Sequence, residues 1–401
     1  MSKISLFGYG KTTKAIAKKV KNAVFFDDNI NSYTKEDEFE IYPSDMFNAS
    51  QSMLEIPSPG IPPYNPMIKK AKNLVSDYDY FLPNSSAVSI WISGTNGKTT
   101  TTKMLHHLLE DKGANMGGNV GTPLAELDLK SPLLILETSS FTLHYTNIAK
   151  PNIYILLPVE EDHISWHGSF EEYKKAKLKP LKFLKEGEVC IIPKEFKDEE
   201  TNGYKITYDN SKDIADILDI DADRIDFKEP FLLDAVLALG VSKILFDEID
   251  YKKINSFTLD PHRIEEIRDK KGRVWVNDSK GTNVHATIQA IKRYQDKKIY
   301  LILGGDDKGA DLQPLFDILK ECNVEIYATG SNKDKIISLA KNSSIDAVKC
   351  ETLKEAVTVY IDKKLDKDSI ALLSPAASSL DEYSSYKQRG DIFKNLIQFL
   401  S

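Results

Sequence analysis

Apolar residues in this chain come in short unbroken runs, separated by longer stretches where they recur at helical spacing. The runs "ISLF", "AVFF", "LLIL", "IYILL", "IYLIL", "EIYA" and "IALL" show no polar–apolar alternation. A strand with that pattern is buried on both faces, as in a parallel sheet covered by helices. The stretches between them have the length and spacing of amphipathic helices. Strand and helix signals alternate from end to end, which predicts an α/β protein with mostly parallel sheets. No internal repeat or low-complexity tract interrupts the alternation.

Two clusters of turn-forming residues punctuate the pattern. One is "YFLPNSSAVSI", residues 80–90; the other is "TLDPHRIEE", residues 258–266. They divide the chain into three expected domains, 1–84, 85–260 and 261–401, each of ordinary domain size.

Composition narrows the class. The chain has 401 residues, 41% hydrophobic and 28% charged, with a net charge of -7. A mildly acidic chain lacks the basic surface that general nucleic-acid binding requires. There is no signal-peptide pattern and no apolar run of membrane-spanning length, so a cytoplasmic protein with no membrane partner is expected. The three cysteines, Cys190, Cys322 and Cys350, are far apart and in no metal-ligand spacing, which fits a reducing compartment. Basic residues are 47 Lys and only 6 Arg. Each arginine therefore merits scrutiny, because arginine clamps oxyanions in a way lysine does not.

The chemistry concentrates at strand ends. "AVSIWIS", "GTNGK" and "TTTTKMLHHLLE" read as strand, glycine loop and helix, the context of a phosphate-binding loop. The usual loop has four residues between its first glycine and the Gly-Lys pair; here only Thr95 and Asn96 intervene. Loop amides of residues 94–97 and the helix start at Lys98, Thr99 and Thr100 can hold phosphate oxygens, with Thr99 reaching Mg²⁺. Glu137 ends the strand "LLIL", with Ser139 close by, and is a candidate Mg²⁺ ligand. Asp162 and His163 follow the strand "IYILL". Lys177 lies in a lysine-dense segment whose composition alone reads as a solvated face. Near the N-terminus, Gly8 and Gly10 stand between a strand and a helix, with Asp27 at the next strand end. Thr13 occupies the place of a third dinucleotide-fingerprint glycine, so a nucleotide-like ligand and a purely structural turn both fit. "IPSPGIPP", residues 56–63, is a second rigid turn. In the last segment "LDPHRIE", "WVNDSKGTN", "LILGGDDKGADL" and "LLSPAASSLDEY" place polar loops, with Lys280 and Lys308, where an anionic substrate can bind.

These motifs occur in one order: "GTNGKTTTT", "GNVGTP", "ETSSF", "EDHIS", "AKLK", "PHR", "NDSKGTN", "LGGDDKGAD" and "SPAASSLDEY" with "RGDIF". The sequence resembles the Mur ligases of peptidoglycan synthesis along its whole length, and the shortened loop is typical of that family. "NDSKGTN" and "SPAASSLDEY" point to its D-glutamate-adding branch. The resemblance implies a Rossmann-like N-terminal domain, a central P-loop ATPase-type domain and a Rossmann-like C-terminal domain. It implies ATP-driven amide formation between D-glutamate and UDP-N-acetylmuramoyl-L-alanine through an acyl phosphate, by a monomer using two Mg²⁺ ions.

The implied roles map onto single residues. Gly94, Thr95, Asn96, Gly97, Lys98, Thr99 and Thr100 would hold ATP, with Arg263 and Asp278, near His262, as further nucleotide contacts. Thr99 and Glu137 would bind the first Mg²⁺, and His163 with a carbamylated Lys177 the second. Asn119 and His163 would orient the acyl group. Lys280, Thr282, Lys308, Ser379 and Tyr386 would hold D-glutamate, with Ser139 a further substrate contact. Thr12, Asp27, Ser58 and Gly60 would meet the uridine nucleotide. Three positions depart from the pattern. Gly281 replaces an alanine, a small change; Asp234 replaces an adenine-contacting asparagine; Ala377 and Ser378 replace Cys-Ala. Competing readings are a folate or other amino-acid ligase of the superfamily, an ATP-driven switch or kinase, and a dehydrogenase using the N-terminal glycines.

Overall fold

The computed structural model describes residues 3–400. They form three sheets with helices between the strands. The first sheet holds β1 (Lys3–Phe7), β2 (Ala23–Asp27), β3 (Thr34–Glu36), β4 (Phe39–Pro43) and β5 (Ser52–Pro57), in the order β3-β4-β2-β1-β5. The second holds β6 (Val88–Ser93), β7 (Ala114–Gly118), β8 (Leu133–Glu137), β9 (Ile153–Leu156), β10 (Val189–Pro193) and β11 (Tyr204–Tyr208), in the order β11-β10-β9-β6-β8-β7. The third holds β12 (Glu265–Arg268), β13 (Val274–Asn277), β14 (Lys298–Leu303), β15 (Val324–Ala328), β16 (Ala347–Lys349) and β17 (Ser369–Leu373), in the order β12-β13-β17-β14-β15-β16. Pairing is parallel except for β3–β4 and β12–β13, each at a sheet edge. The architecture is thus α/β and mostly parallel, as the apolar runs predict.

By compactness the chain divides into two units. One comprises residues 1–227 and 231–257, with the first two sheets; the other comprises residues 228–230 and 258–401, with the third. Among the described residues no helix is long and apolar enough to cross a membrane.

In the second sheet β6, β8 and β9 are buried almost throughout, because helices cover both faces. The chain builds β7 and β8 on one side of β6, then crosses to β9 on the other. Such a reversal opens a crevice beyond the carboxyl ends of the strands. The residues just beyond those ends are 94–97, 138–139 and 157–163. The helix Lys98–Leu109 that leaves the crevice starts with four threonines after Lys98, a poor helix-forming sequence. It is held by packing: Thr101, Met104, Leu105, Leu108 and Leu109 are buried, and the helix lies along the apolar helix Phe231–Phe246. Gly113, in the left-handed region at φ 80°, ends the following turn.

The third sheet repeats the device. β17 lies between β13 and β14, and the loops 278–283, 304–310 and 374–379 leave the carboxyl ends of these three strands.

Candidate active site

The loop after β6 is built to keep side chains away from its inner surface. A Cβ on Gly94 would overlap Leu157, and Gly97 sits at φ 83°. Glycine is the residue that tolerates both demands. Thr95 anchors the loop: its N–H donates to Pro158 O (3.0 Å), its hydroxyl to Glu160 O (3.0 Å), and Tyr173 Oη lies 2.8 Å from that hydroxyl. Of the loop residues expected to meet phosphate, Thr95 therefore holds the loop in place with both its amide and its side chain. Lys98 folds back, donating to Gly94 O (2.9 Å) and Thr95 O (2.8 Å). The Thr100 hydroxyl is buried without a hydrogen-bond partner.

Asp234, at the position of an expected adenine contact, lies behind this loop. Its Oδ1 accepts from Thr101 Oγ1 at 2.7 Å and would stand 2.7 Å from a Cβ on Gly97. It braces the helix start against the neighbouring helix.

Glu137 ends β8 with 3% exposure. Its Oε1 accepts from Asn119 Nδ2 at 2.7 Å, and its Oε2 is buried with no partner. An unpartnered buried carboxylate oxygen costs about 1–3 kcal/mol, so its retention fits a site that takes a cation. Among the described residues no group of three or more His, Cys, Asp or Glu is arranged as a metal cage. Mg²⁺ needs none, since it binds through one or two carboxylates, waters and phosphates. The donor set of Thr99 and Glu137 beside a phosphate-type loop fits that ion. Ser139 caps the helix Ser140–Tyr145, accepting from Thr142 N.

Lys177 is the least expected element by composition. It belongs to the lysine-rich helix Phe170–Leu178 yet is 1% exposed. Its neighbours Lys174 and Lys175 pair outward with Glu171 and Glu172. Lys177 Nζ turns inward, donating to Gly94 O (2.7 Å) and Ser93 Oγ (3.3 Å) and lying 4.7 Å from the centre of the Tyr173 ring. Burial first, and then the nearby Lys98 ammonium, push its pKa well below that of an ordinary lysine, against a partial pull from Asp162 and Glu137. The amine is therefore biased toward its neutral, nucleophilic form.

His163 begins the short helix Ile164–His167 in the left-handed conformation, φ 55°. Its ring stands edge-on to Phe141 at 4.7 Å, and its Nε2 is 3.7 Å from Asp162 Oδ2. Backbone strain of this kind costs on the order of 1–3 kcal/mol and concentrates at functional sites. His262, Ile264, Lys308, Ser344 and Ala376 share the conformation in the other unit, as do Asn22, Asp37, Asp219 and Asp247 in loops away from the site.

At the first sheet, Thr13 does the work of the missing glycine. Its hydroxyl accepts from Gly10 N (3.1 Å) and donates to Gly8 O (2.6 Å), closing the turn. Asp27 is also used by the turn, accepting from Tyr9 N (2.6 Å) and Asn29 N (2.8 Å). Ser58 packs against Gly8 and Gly10 from the end of β5, so the helix start holding Thr12, the strand end at Asp27 and the turn holding Ser58 and Gly60 share one sheet edge.

The C-terminal loops converge on Arg389, a residue the motifs mention only in passing. It is 4% exposed and bonds to Ser279 Oγ (3.0 Å), Ser279 O (2.9 Å), Ala377 O (3.2 Å) and Gly304 O (3.5 Å). Burial lowers its pKa to about 10, which leaves it charged. It thereby ties together the loops carrying Lys280 and Thr282, Lys308, and Ser379. Lys280 Nζ lies 4.5 Å from the centre of the Tyr386 ring, and Asp306 pairs with Ser378 through two backbone bonds of 2.9 Å. Arg263 lies 3.9 Å from Asp260. Asp278 is buried, accepts from Ser374 Oγ (2.6 Å), and has its pKa raised to about 7 by burial. A Cβ at Gly281 would overlap Asp278 Oδ2 and come within 2.7 Å of Ser374 Oγ. Both atoms are side-chain ends, so an alanine at this position would make Asp278 and Ser374 shift.

A glycine loop with its lysine, a strand-end carboxylate and a buried lysine of lowered pKa on one crevice define an ATP-dependent ligase type of site. Two family models match: the Mur ligase middle domain over residues 92–229 and the Mur ligase glutamate ligase domain over residues 262–377. The chain belongs to the Mur ligase family. It is 51% identical over 402 residues to the UDP-N-acetylmuramoylalanine--D-glutamate ligase of Campylobacter jejuni strain 81-176, covering 98% of this chain and 99% of that one. The Helicobacter pylori strain HPAG1 protein of the same name is 48% identical over 419 residues, with 98% and 99% covered. Among solved structures, the MurF ligase of Thermotoga maritima in complex with ADP has the same fold, with TM-score 0.61 at 14% identity over 98% of this chain and 93% of that one.

Proposed function

We propose that this chain joins D-glutamate to UDP-N-acetylmuramoyl-L-alanine at the expense of ATP, as a monomer in the cytoplasm. The placement of Lys177 beside the phosphate-type loop carries the reading, and the names of the 51% and 48% identical relatives supply the substrates. The reaction is transfer of the γ-phosphoryl group to the substrate carboxylate, then attack of the amino acid's neutral amine on the acyl carbon with loss of phosphate. Lys98 leaves its loop carbonyls for the phosphates, and loop amides with Thr99 and Thr100 orient them. Mg²⁺, held by Thr99 and Glu137, and a second ion held by His163 and Lys177, would supply charge to offset repulsion between phosphate and carboxylate. In its neutral form the Lys177 amine adds to CO₂, losing a proton and becoming a carbamate, an anionic ligand in place of an amine. Asn119 holds Glu137 and helps orient the acyl group.

We assign Lys280, Thr282, Lys308, Ser379 and Tyr386 to D-glutamate, Arg263 and Asp278 to the nucleotide, and Thr12, Asp27, Ser58 and Gly60 to the uridine end. Phosphate release measured with UDP-N-acetylmuramoyl-L-alanine and a panel of amino acids tests the reading. Turnover with D-glutamate is expected. Turnover with L-alanine or a diamino acid in its absence would overturn it.

A further inference from the structure

His167 was not among the residues singled out by sequence. It closes the helix Ile164–His167, four residues after His163, and is 7% exposed. Its Nε2 lies 3.0 Å from Ser140 Oγ, and Ser140 opens the helix that follows Glu137 by three residues. Its ring stacks on Phe141 at 5.7 Å and 28°, and Phe141 in turn meets the His163 ring edge-on. One imidazole therefore grips the turn behind Glu137 with its nitrogen and the ring beside His163 with its face. Its other nitrogen, Nδ1, is buried without a partner. A buried polar nitrogen left unpaired is costly and rarely kept where an apolar ring would pack as well. The bond to Ser140 gives a reason to keep it.

We infer that His167 is a positioning residue, holding the Glu137 turn and the His163 ring in register through Ser140 and Phe141. The inference rests on Glu137 taking Mg²⁺, as proposed above. Residues that orient a ligand without touching the metal commonly change metal affinity ten- to a hundredfold when removed. Burial, with the nearby His144, His163 and Lys177, lowers the His167 pKa to about 4, so the ring stays neutral near the cations it helps to arrange.

The test is binding of ADP to the full chain by calorimetry, with and without Mg²⁺, in the absence of other substrates. His167→Phe keeps a stacking ring and loses the bond; Ser140→Ala loses the bond from the other side. Each is expected to weaken the Mg²⁺-dependent part of ADP binding by about ten- to a hundredfold, with Mg²⁺-free binding unchanged. The double variant is expected to be no worse than either single one. His167→Gln, whose amide nitrogen reaches the position of Nε2, is expected to recover most of the loss. Unchanged Mg²⁺ dependence in Ser140→Ala and His167→Phe, or additive losses in the pair, would overturn the inference. Should His167→Phe fail to fold, Ser140→Ala alone against His167→Gln decides it by the same criterion. Glu137→Gln separates the two levels. If it leaves Mg²⁺-dependent binding intact, the assignment of Glu137 falls and this inference with it; if it abolishes that binding while Ser140→Ala leaves it unchanged, only the inference falls.

Discussion

Lys177 and Arg389 are both basic side chains with almost no exposure, 1% and 4%, and their surroundings act on them in opposite ways. Around Lys177 there are two oxygen acceptors and a second ammonium, Lys98, which shares the acceptor Gly94 O. Burial and repulsion favour the neutral amine. Around Arg389 four oxygens from three loops meet the guanidinium, whose pKa stays high enough to keep the charge. A lysine in such a place can change its charge and become a nucleophile. An arginine cannot, and its fixed planar donors make it a fastener. Exposure alone does not distinguish the two roles; the number and geometry of acceptors does.

The strongest way to break this contrast is to exchange the two side chains. Lys177→Arg keeps a long basic side chain but cannot form a carbamate, so it is expected to lose turnover by about 10²–10³-fold or more. Lys177→Ala is expected to fall as far and to be partly restored by short carboxylic acids. Near-normal turnover in Lys177→Arg would end the distinction. The reverse exchange, Arg389→Lys, leaves loop carbonyls without donors, at about 1–3 kcal/mol each. Denaturant unfolding of the full chain should show that loss, with a raised KM for the amino acid and little change in KM for ATP. Unaltered stability and KM would show that Arg389 fastens nothing.

Asp278 is the acidic counterpart of these two buried basic groups. Its folded pKa, about 7, lies above the roughly 3.9 of a free aspartate. Between those values the folded state binds more protons than the unfolded one, so this group makes stability fall as pH rises. Asp278→Asn is expected to flatten that decline between about pH 4 and 7, read from urea midpoints across the range. An unchanged slope would contradict it. The smallest effect is expected from Gly281→Ala, where the overlap with Asp278 and Ser374 should cost about 1–3 kcal/mol, typical of overpacking. A neutral substitution would mean the carboxylate moves aside freely.

The elements most legible in sequence are those buried on both faces. β1, β2, β8, β9, β14, β15 and β17 coincide with the apolar runs. Those the runs do not mark lie largely nearer the edges: β7, "ANMGG", pairs only with β8 and is held by backbone bonds, and β12, "EEIR", has one face in solvent. Order along the chain also reveals which motifs lie at carboxyl ends of strands. It does not reveal distance across the fold. Lys177 sits among exposed lysines and touches residues 83 and 84 positions away. Arg389 acts on loops up to 110 positions distant. Asp234 stands at the position of an expected nucleotide contact, and nothing in the spacing announces its bond to Thr101, 133 positions away. The motif glycines and Thr13 show the same limit: the spacing marks a turn, and only geometry shows that a hydroxyl closes it.

Between the first and second sheets, four polar links end on main-chain oxygens. Trp166 Nε1 donates to Gly60 O (3.1 Å), Tyr145 Oη to Ile61 O (2.6 Å), Lys11 Nζ to Gly121 O (2.6 Å) and Tyr64 Oη to Ser165 O (3.5 Å). A carbonyl is the same whatever side chain its residue bears. Two of these links end on Gly60 O and Ile61 O, so the turn at residues 58–61 keeps its attachment to the second sheet through its backbone, whatever its side chains present to a ligand. A lineage could re-educate its substrate end without rebuilding the engine behind it.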